Sequence, residues 1–125
     1  MDIDVSKLST PCYLVDERLL KKNLSLLKSV SDSTGCRILL AQKGFSMFCV
    51  YPLIGEYLNG TTASSLFEAR LGYEEMGGEV HIFSPAYPEQ DFDEILAICD
   101  HIVFNSFSQW EKYRQKVRSC GRPIQ

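Results

Sequence analysis

Four short strand-like runs recur along the chain at a nearly even pitch, and that rhythm restricts the folds open to it. They are Arg37–Gln42 (RILLAQ), Gly60–Ser64 (GTTAS), Glu79–Ser84 (EVHIFS) and His101–Asn105 (HIVFN), with starts 23, 19 and 22 residues apart. The intervals carry helical patterning. Phe92, Ile95, Leu96 and Cys99 fall at i, i+3, i+4 and i+7, which lines one face of a helix. Trp110, Tyr113 and Val117 follow a similar spacing after the last run, and Leu20, Leu24 and Leu27 mark an earlier helix that Asp16 can cap. Strand and helix alternating through short loops means parallel β/α units, because parallel neighbours need a crossover connection.

Local punctuation agrees with this division. Ser65-Leu66-Phe67-Glu68 and Ser108-Gln109-Trp110-Glu111 both read as capping boxes, in which a serine and a glutamate three residues later satisfy free amides at a helix start. Asn59-Gly60 and Gly77-Gly78 read as helix ends, where glycine tolerates the left-handed conformation. Pro52 either sits in the first turn of a helix or breaks one.

Two parallel architectures compete. A doubly wound sheet usually brings a glycine-rich loop after its first strand, whereas here that strand runs into Ala41-Gln42-Lys43-Gly44-Phe45. The expected fold is therefore α/β, a partial (β/α)8 TIM-type barrel. Eight units take ~250 residues, and four are present in 125. Four strands alone leave two open edges, and Arg122-Pro123-Ile124-Gln125 reads as the approach to a further strand. A fragment or truncated reading frame is the expectation.

The formal charge of −3 is spread along the chain, which gives no basic stripe for nucleic acid. The densest basic stretch, Lys112 to Arg122, reads as the wet face of an amphipathic helix. The start, Met1-Asp2-Ile3-Asp4, is no signal peptide. The longest apolar run, Phe45 to Ile54, is broken by Ser46 and Pro52 and falls short of the ~20 residues that cross a bilayer. Cys12, Cys36, Cys49, Cys99 and Cys120 are odd in number and widely spaced, which suggests reduced thiols and a cytoplasmic protein. The only histidines, His81 and His101, lie near no cysteine pair, so no metal site is expected.

Lys43 is the residue with the most chemical potential. It follows the first strand, and in parallel barrels the C-terminal strand ends carry the chemistry. If Ile38 and Leu40 face the helices, alternation sends Lys43 into the barrel mouth. A free amine there can condense with an aldehyde cofactor. On position alone, a solvated strand-end lysine is the more ordinary reading.

Several short blocks shift that balance. Pro11-Cys12-Tyr13-Leu14-Val15-Asp16 followed by Ile38 to Lys43 resembles the alanine-racemase and ornithine-decarboxylase superfamily. In that superfamily an N-terminal strand precedes a barrel whose first strand ends in the cofactor lysine. Asn59 to Ser65, Glu68 to Gly72, Gly77 to His81, Ser84 to Tyr87 and His101 to Ser106 resemble, within it, the carboxynorspermidine decarboxylase family. The likeness covers essentially the whole chain. One departure is Gln42-Lys43-Gly44, where the family commonly shows Leu-Lys-Ala.

The resemblance implies a pyridoxal 5'-phosphate-dependent decarboxylase, with Lys43 as the cofactor-binding and catalytic lysine. It implies a small polyamine precursor as substrate, no nucleic-acid or membrane partner, and a homodimer in the full-length form. Residues 1–15 would be an N-terminal strand belonging to a β-domain, and residues 16–125 the first half of the cofactor-binding barrel. Glu68 aligns with a carboxylate near the cofactor, although its capping role explains it as well. Thr62 stands at the second strand's end where relatives often place an aspartate, so any charge role there is absent; with Ser84, at the barrel mouth, it is kept among the cofactor-binding candidates. His81 is more simply a strand histidine satisfied by its neighbours than a catalytic base, and Asn105 is as apt to shape a turn. The family's ring-stacking histidine, phosphate loops and acidic partner for the pyridine nitrogen would lie beyond residue 125. Two other readings stay open: a truncated non-catalytic product, and a small pyridoxal-phosphate-binding barrel without the β-domain.

Overall fold

The computed structural model of the protein describes residues 4–125. Each strand-like run becomes a strand and each interval a helix. In order they are α1 (Glu17–Thr34), β1 (Leu39–Ala41), α2 (Tyr51–Gly55), β2 (Gly60–Ala63), α3 (Leu66–Glu75), β3 (Glu79–Phe83), α4 (Glu89–Ile98), β4 (His101–Val103) and α5 (Phe107–Ser119). Short 3-10 turns occupy Val5–Lys7 and Phe48–Val50.

The strands are all parallel and lie side by side in chain order, β1-β2-β3-β4. Alternation splits the sheet into two unlike faces. Ile38, Leu40, Ala63, Val80, Ile82 and Ile102 pack among the helices in two apolar clusters. The opposite face carries Leu39, Ala41, Thr62, His81, Phe83, His101 and Val103, and there Phe83 and Val103 stay 40% and 53% exposed. Sequential order with helices covering one face is the arrangement of a barrel segment; a doubly wound sheet covers both faces and reverses its strand order. Gln125 extends the pattern. Its amide donates to Asp100 O at 3.0 Å and its carbonyl accepts from Ile102 N at 2.8 Å, a parallel bridge on the free edge of β4.

The clusters follow the predicted stripes. Phe92, Ile95, Leu96 and Cys99 are buried, and the Phe92 and Tyr113 rings stack at 3.8 Å, fastening α5 to α4. Burying such a side chain contributes about 1.5–3 kcal/mol. On α1, Leu24 is buried and Leu20 packs against the smaller cluster, whereas Leu27 stays 40% exposed. Asp16 caps α1, its carboxylate accepting from Arg18 N and Leu19 N. Pro52 lies in the first turn of α2, where a missing amide hydrogen costs nothing.

Three expectations are corrected. The second capping box is shifted by two residues: Ser106, not Ser108, caps α5, and its partner is Gln109. Gly60 does not end a helix but begins β2, with φ 154°. A Cβ there would lie 1.9 Å from Glu79 O, so only glycine lets β2 and β3 pair. The basic stretch is not simply a wet face, because Lys112, Lys116 and Arg122 pair with Glu89, Asp93 and Asp100 of the α4 unit. Of the segment expected to join a β-domain, residues 4–16 lie outside the four-stranded sheet, with Tyr13 94% exposed, and residues 1–3 lie outside the described residues.

Candidate functional site

The C-terminal ends of the four strands form one rim, and the candidate residues gather along it. At β1 the chain leaves the sheet through a tight turn, with Gly44 N donating to Ala41 O at 2.9 Å and Phe45 N to Gln42 O at 3.1 Å. Lys43 stands in that turn, exposed. Among the described residues, no ion pair engages its ammonium. Its neighbour Gln42 goes the other way. It continues the helix-facing row of Ile38 and Leu40, and it is 1% exposed. Its Nε2 donates to Glu68 O at 2.8 Å, and its Oε1 accepts from the Tyr51 hydroxyl at 3.3 Å. Burial, followed by the nearby Glu68 charge, raises the Tyr51 pKa and keeps that hydroxyl a donor.

At β2, Ser65 caps α3 by accepting from Glu68 N at 3.3 Å. The Glu68 carboxylate reaches past the cap and accepts from Ser64 N at 2.7 Å. It is half-buried, at the rim beside the turn that bears Lys43. Thr62 sits one residue before the end of β2, on the open face of the sheet, level with Ala41 and His81. At β3, the Ser84 hydroxyl donates to Ala86 O at 2.9 Å. Asn105 and Ser106 follow β4, both exposed, and Asn105 N donates to Gln109 Oε1 at 2.7 Å. Lys43, Glu68 and Ser84 therefore share the rim, with Thr62 a layer below. Among the described residues, no side-chain hydrogen bond or ion pair joins Lys43 to the other three.

Sequence reasoning missed Tyr87. Its buried hydroxyl accepts from Ser84 N at 3.2 Å and donates to Val103 O at 2.8 Å, tying the ends of β3 and β4 together. It also missed a polar group on the open face. His81 pairs with His101 across β3 and β4, and their rings stack at 3.8 Å and 21°. His81 Nε2 lies 3.1 Å from Glu79 Oε2, and Arg37 engages both Glu79 oxygens at 3.0 and 2.8 Å. Glu79, His81 and His101 bring one ligand atom each within 4.8 Å of the others. His81 Nε2 faces the Glu79 carboxylate and the guanidinium engages both carboxylate oxygens, so the three side chains stand as a hydrogen-bonded and stacked layer. The signal was the i, i+2 spacing of Glu79 and His81, but only the strand register brings in His101.

The five cysteines are free thiols, and among the described residues no helix is long and apolar enough to cross a membrane. No family model matches the chain. Among curated proteins it is 42% identical over 106 residues to the carboxynorspermidine/carboxyspermidine decarboxylase of Herminiimonas arsenicoxydans, covering 85% of this chain and 29% of that protein. The protein of the same name from Campylobacter jejuni is 43% identical over 112 residues, covering 90% and 29%. The carboxyaminopropylagmatine decarboxylase of Synechocystis is 40% identical over 117 residues, covering 94% and 30%. A crystal structure of the Campylobacter jejuni carboxynorspermidine decarboxylase complexed with norspermidine matches with a TM-score of 0.87 at 42% identity, over 89% of this chain and 30% of that one. The chain thus spans about 30% of the length of the relatives it matches. Strand order, one-sided helices and sequence agree, and the chain is a homologue of the carboxynorspermidine/carboxyspermidine decarboxylases, corresponding to a partial barrel region of them.

Proposed function

We propose that this chain is the lysine-bearing half-barrel of a pyridoxal 5'-phosphate-dependent decarboxylase of polyamine biosynthesis, with Lys43 as the cofactor anchor. The observation that carries the reading is the Lys43 amine, exposed at the C-terminal rim and without an ion-pair partner among the described residues. An amine so placed fits an aldehyde, which reacts only with an unencumbered nitrogen. The residues present supply that anchor and leave the phosphate to other parts of the protein.

When bound, the pyridoxal ring supplies an electron sink for the carbon that loses carbon dioxide. The chain's own residues prepare the place. Lys43 would hold the cofactor through Nζ, and the same nitrogen would be placed to carry a proton to the substrate carbon. Glu68 keeps the β2–α3 turn in shape, Ser84 sits on the adjacent rim, and Thr62 floors the space between them. The relatives' names share a carboxylated aminopropyl amine, and we assign the substrate to that class, with carboxynorspermidine and carboxyspermidine giving norspermidine and spermidine. The working enzyme is a cytoplasmic homodimer in this reading, and the extended segment up to Asp16 joins a β-domain. The half-barrel alone is inactive, because Phe83 and Val103 on its open face need the rest of the ring to cover them.

Borohydride reduction of the full-length protein loaded with pyridoxal phosphate tests the assignment. The label is expected on the peptide containing Lys43 and absent from Lys43→Ala; undiminished labelling of that variant would refute it.

A further inference from the structure

Gln42 is out of character for its position. Ile38 and Leu40, the preceding residues of its row, are apolar and packed against helices. An amide 1% exposed in such a layer must find partners for both ends, and here it does. The Glu68 carbonyl can only accept, so the amide nitrogen must point at it, and the oxygen is left for Tyr51. The Tyr51 hydroxyl also lies 3.4 Å from Phe45 O, so its single proton is shared between the two sides of the turn. Gly72 makes the approach possible. A Cβ there would stand 3.0 Å from Gln42 Nε2 and 2.1 Å from Thr61 Oγ1.

We propose that Gln42 and Tyr51 form a buried clamp that positions the Lys43 amine by fixing the residues flanking it, Gln42 to the first turn of α3 and Phe45 to α2. Neither residue touches the reacting atoms. The clamp ties the Lys43 turn to the helix start that carries Glu68, so the two rim residues move as one body. The inference deepens the reading of Lys43 as cofactor anchor and rests on it.

The test uses full-length protein stripped of cofactor, with Gln42→Leu, Tyr51→Phe and the double variant. The readouts are the rate at which added pyridoxal phosphate becomes borohydride-fixable on Lys43, and kcat against KM after loading. Each single variant is expected to slow condensation about tenfold, lowering kcat with KM unchanged. The double variant is expected to be no slower than the worse single, because both break one unit. Tyr51→Phe, which removes one buried oxygen, keeps the test open should Gln42→Leu not fold. Unchanged rates with Lys43 labelled normally, or losses that multiply in the double variant, overturn the clamp alone. A label on another lysine in the unaltered protein overturns the Lys43 reading and the clamp with it.

Discussion

Glu68 turns its carboxylate onto the amide of Ser64 at 2.7 Å, and this one bond joins the end of β2 to the start of α3. The bond is stronger than a neutral one because the acceptor is charged, and it serves an amide that leads into the helix. A glutamine still offers an oxygen, so Glu68→Gln should hold stability to within about 0.5 kcal/mol. Glu68→Ala leaves Ser64 N without its acceptor and should cost about 0.5–2 kcal/mol. Urea denaturation measures both. The glutamine variant also separates structure from chemistry: a changed cofactor absorbance at unchanged stability assigns Glu68 to the cofactor, and an unchanged spectrum leaves it a turn residue.

Tyr87 offers a second test at the rim. Its hydroxyl serves Ser84 N and Val103 O, two main-chain groups on neighbouring strands. Tyr87→Phe keeps the ring, which meets Phe92 and Tyr113 edge-on, and removes only the oxygen. Two partly buried groups then lack partners, at a cost of about 1–3 kcal/mol. Hydrogen exchange is expected to quicken at the C-terminal ends of β3 and β4. A uniform change across the sheet would show that the hydroxyl does not tie these ends.

The strands were legible because Val80, Ile82 and Ile102 must face helices, and alternation then fixes their neighbours. The α5 start was less so. Ser106 and Ser108 both stand three residues before a glutamine or glutamate, and sequence spacing cannot choose between them. The choice falls on Ser106, where the Gln109 side chain can also reach Asn105 N. The Glu79, His81 and His101 layer and the Gln42–Tyr51 clamp were not legible. Each depends on residues that strand register or helix packing brings together, and a polar residue such as Gln42 in a helix-facing row looks like the end of the strand until its partners are known.

Thr61 provides the case where removing a polar atom should help. It is fully buried, and its Oγ1 has no hydrogen-bond partner among the described residues. An unsatisfied buried hydroxyl costs about 1–3 kcal/mol, and valine has nearly the same shape. Thr61→Val is therefore expected to stabilise the protein by about 1 kcal/mol, read as a higher denaturant midpoint at unchanged slope. Gly72→Ala should act oppositely, since its Cβ would meet Thr61 Oγ1 at 2.1 Å and push α3 off the sheet. A destabilised Thr61→Val would mean that the hydroxyl is served by a bound water.

Alkaline pH should unfold the protein through Cys99. Burial first, then the nearby Asp100 charge, pushes its thiol from 9.0 up to about 12. Burial also pushes Tyr87 up to about 12. A folded-state pKa above the unfolded value means that the folded chain keeps a proton which the unfolded chain releases. The contribution is whole below pH 9, and it is lost as pH rises from there towards 12. Stability measured by urea is expected to fall over that window. Cys99→Ala should start lower, because it leaves a cavity, but should fall less steeply. The same burial makes Cys99 slow to react with a thiol reagent, while exposed Cys12, Cys36 and Cys49 react at once. Equal slopes in the two proteins, or prompt labelling of Cys99 under native conditions, would place the alkaline weakness elsewhere.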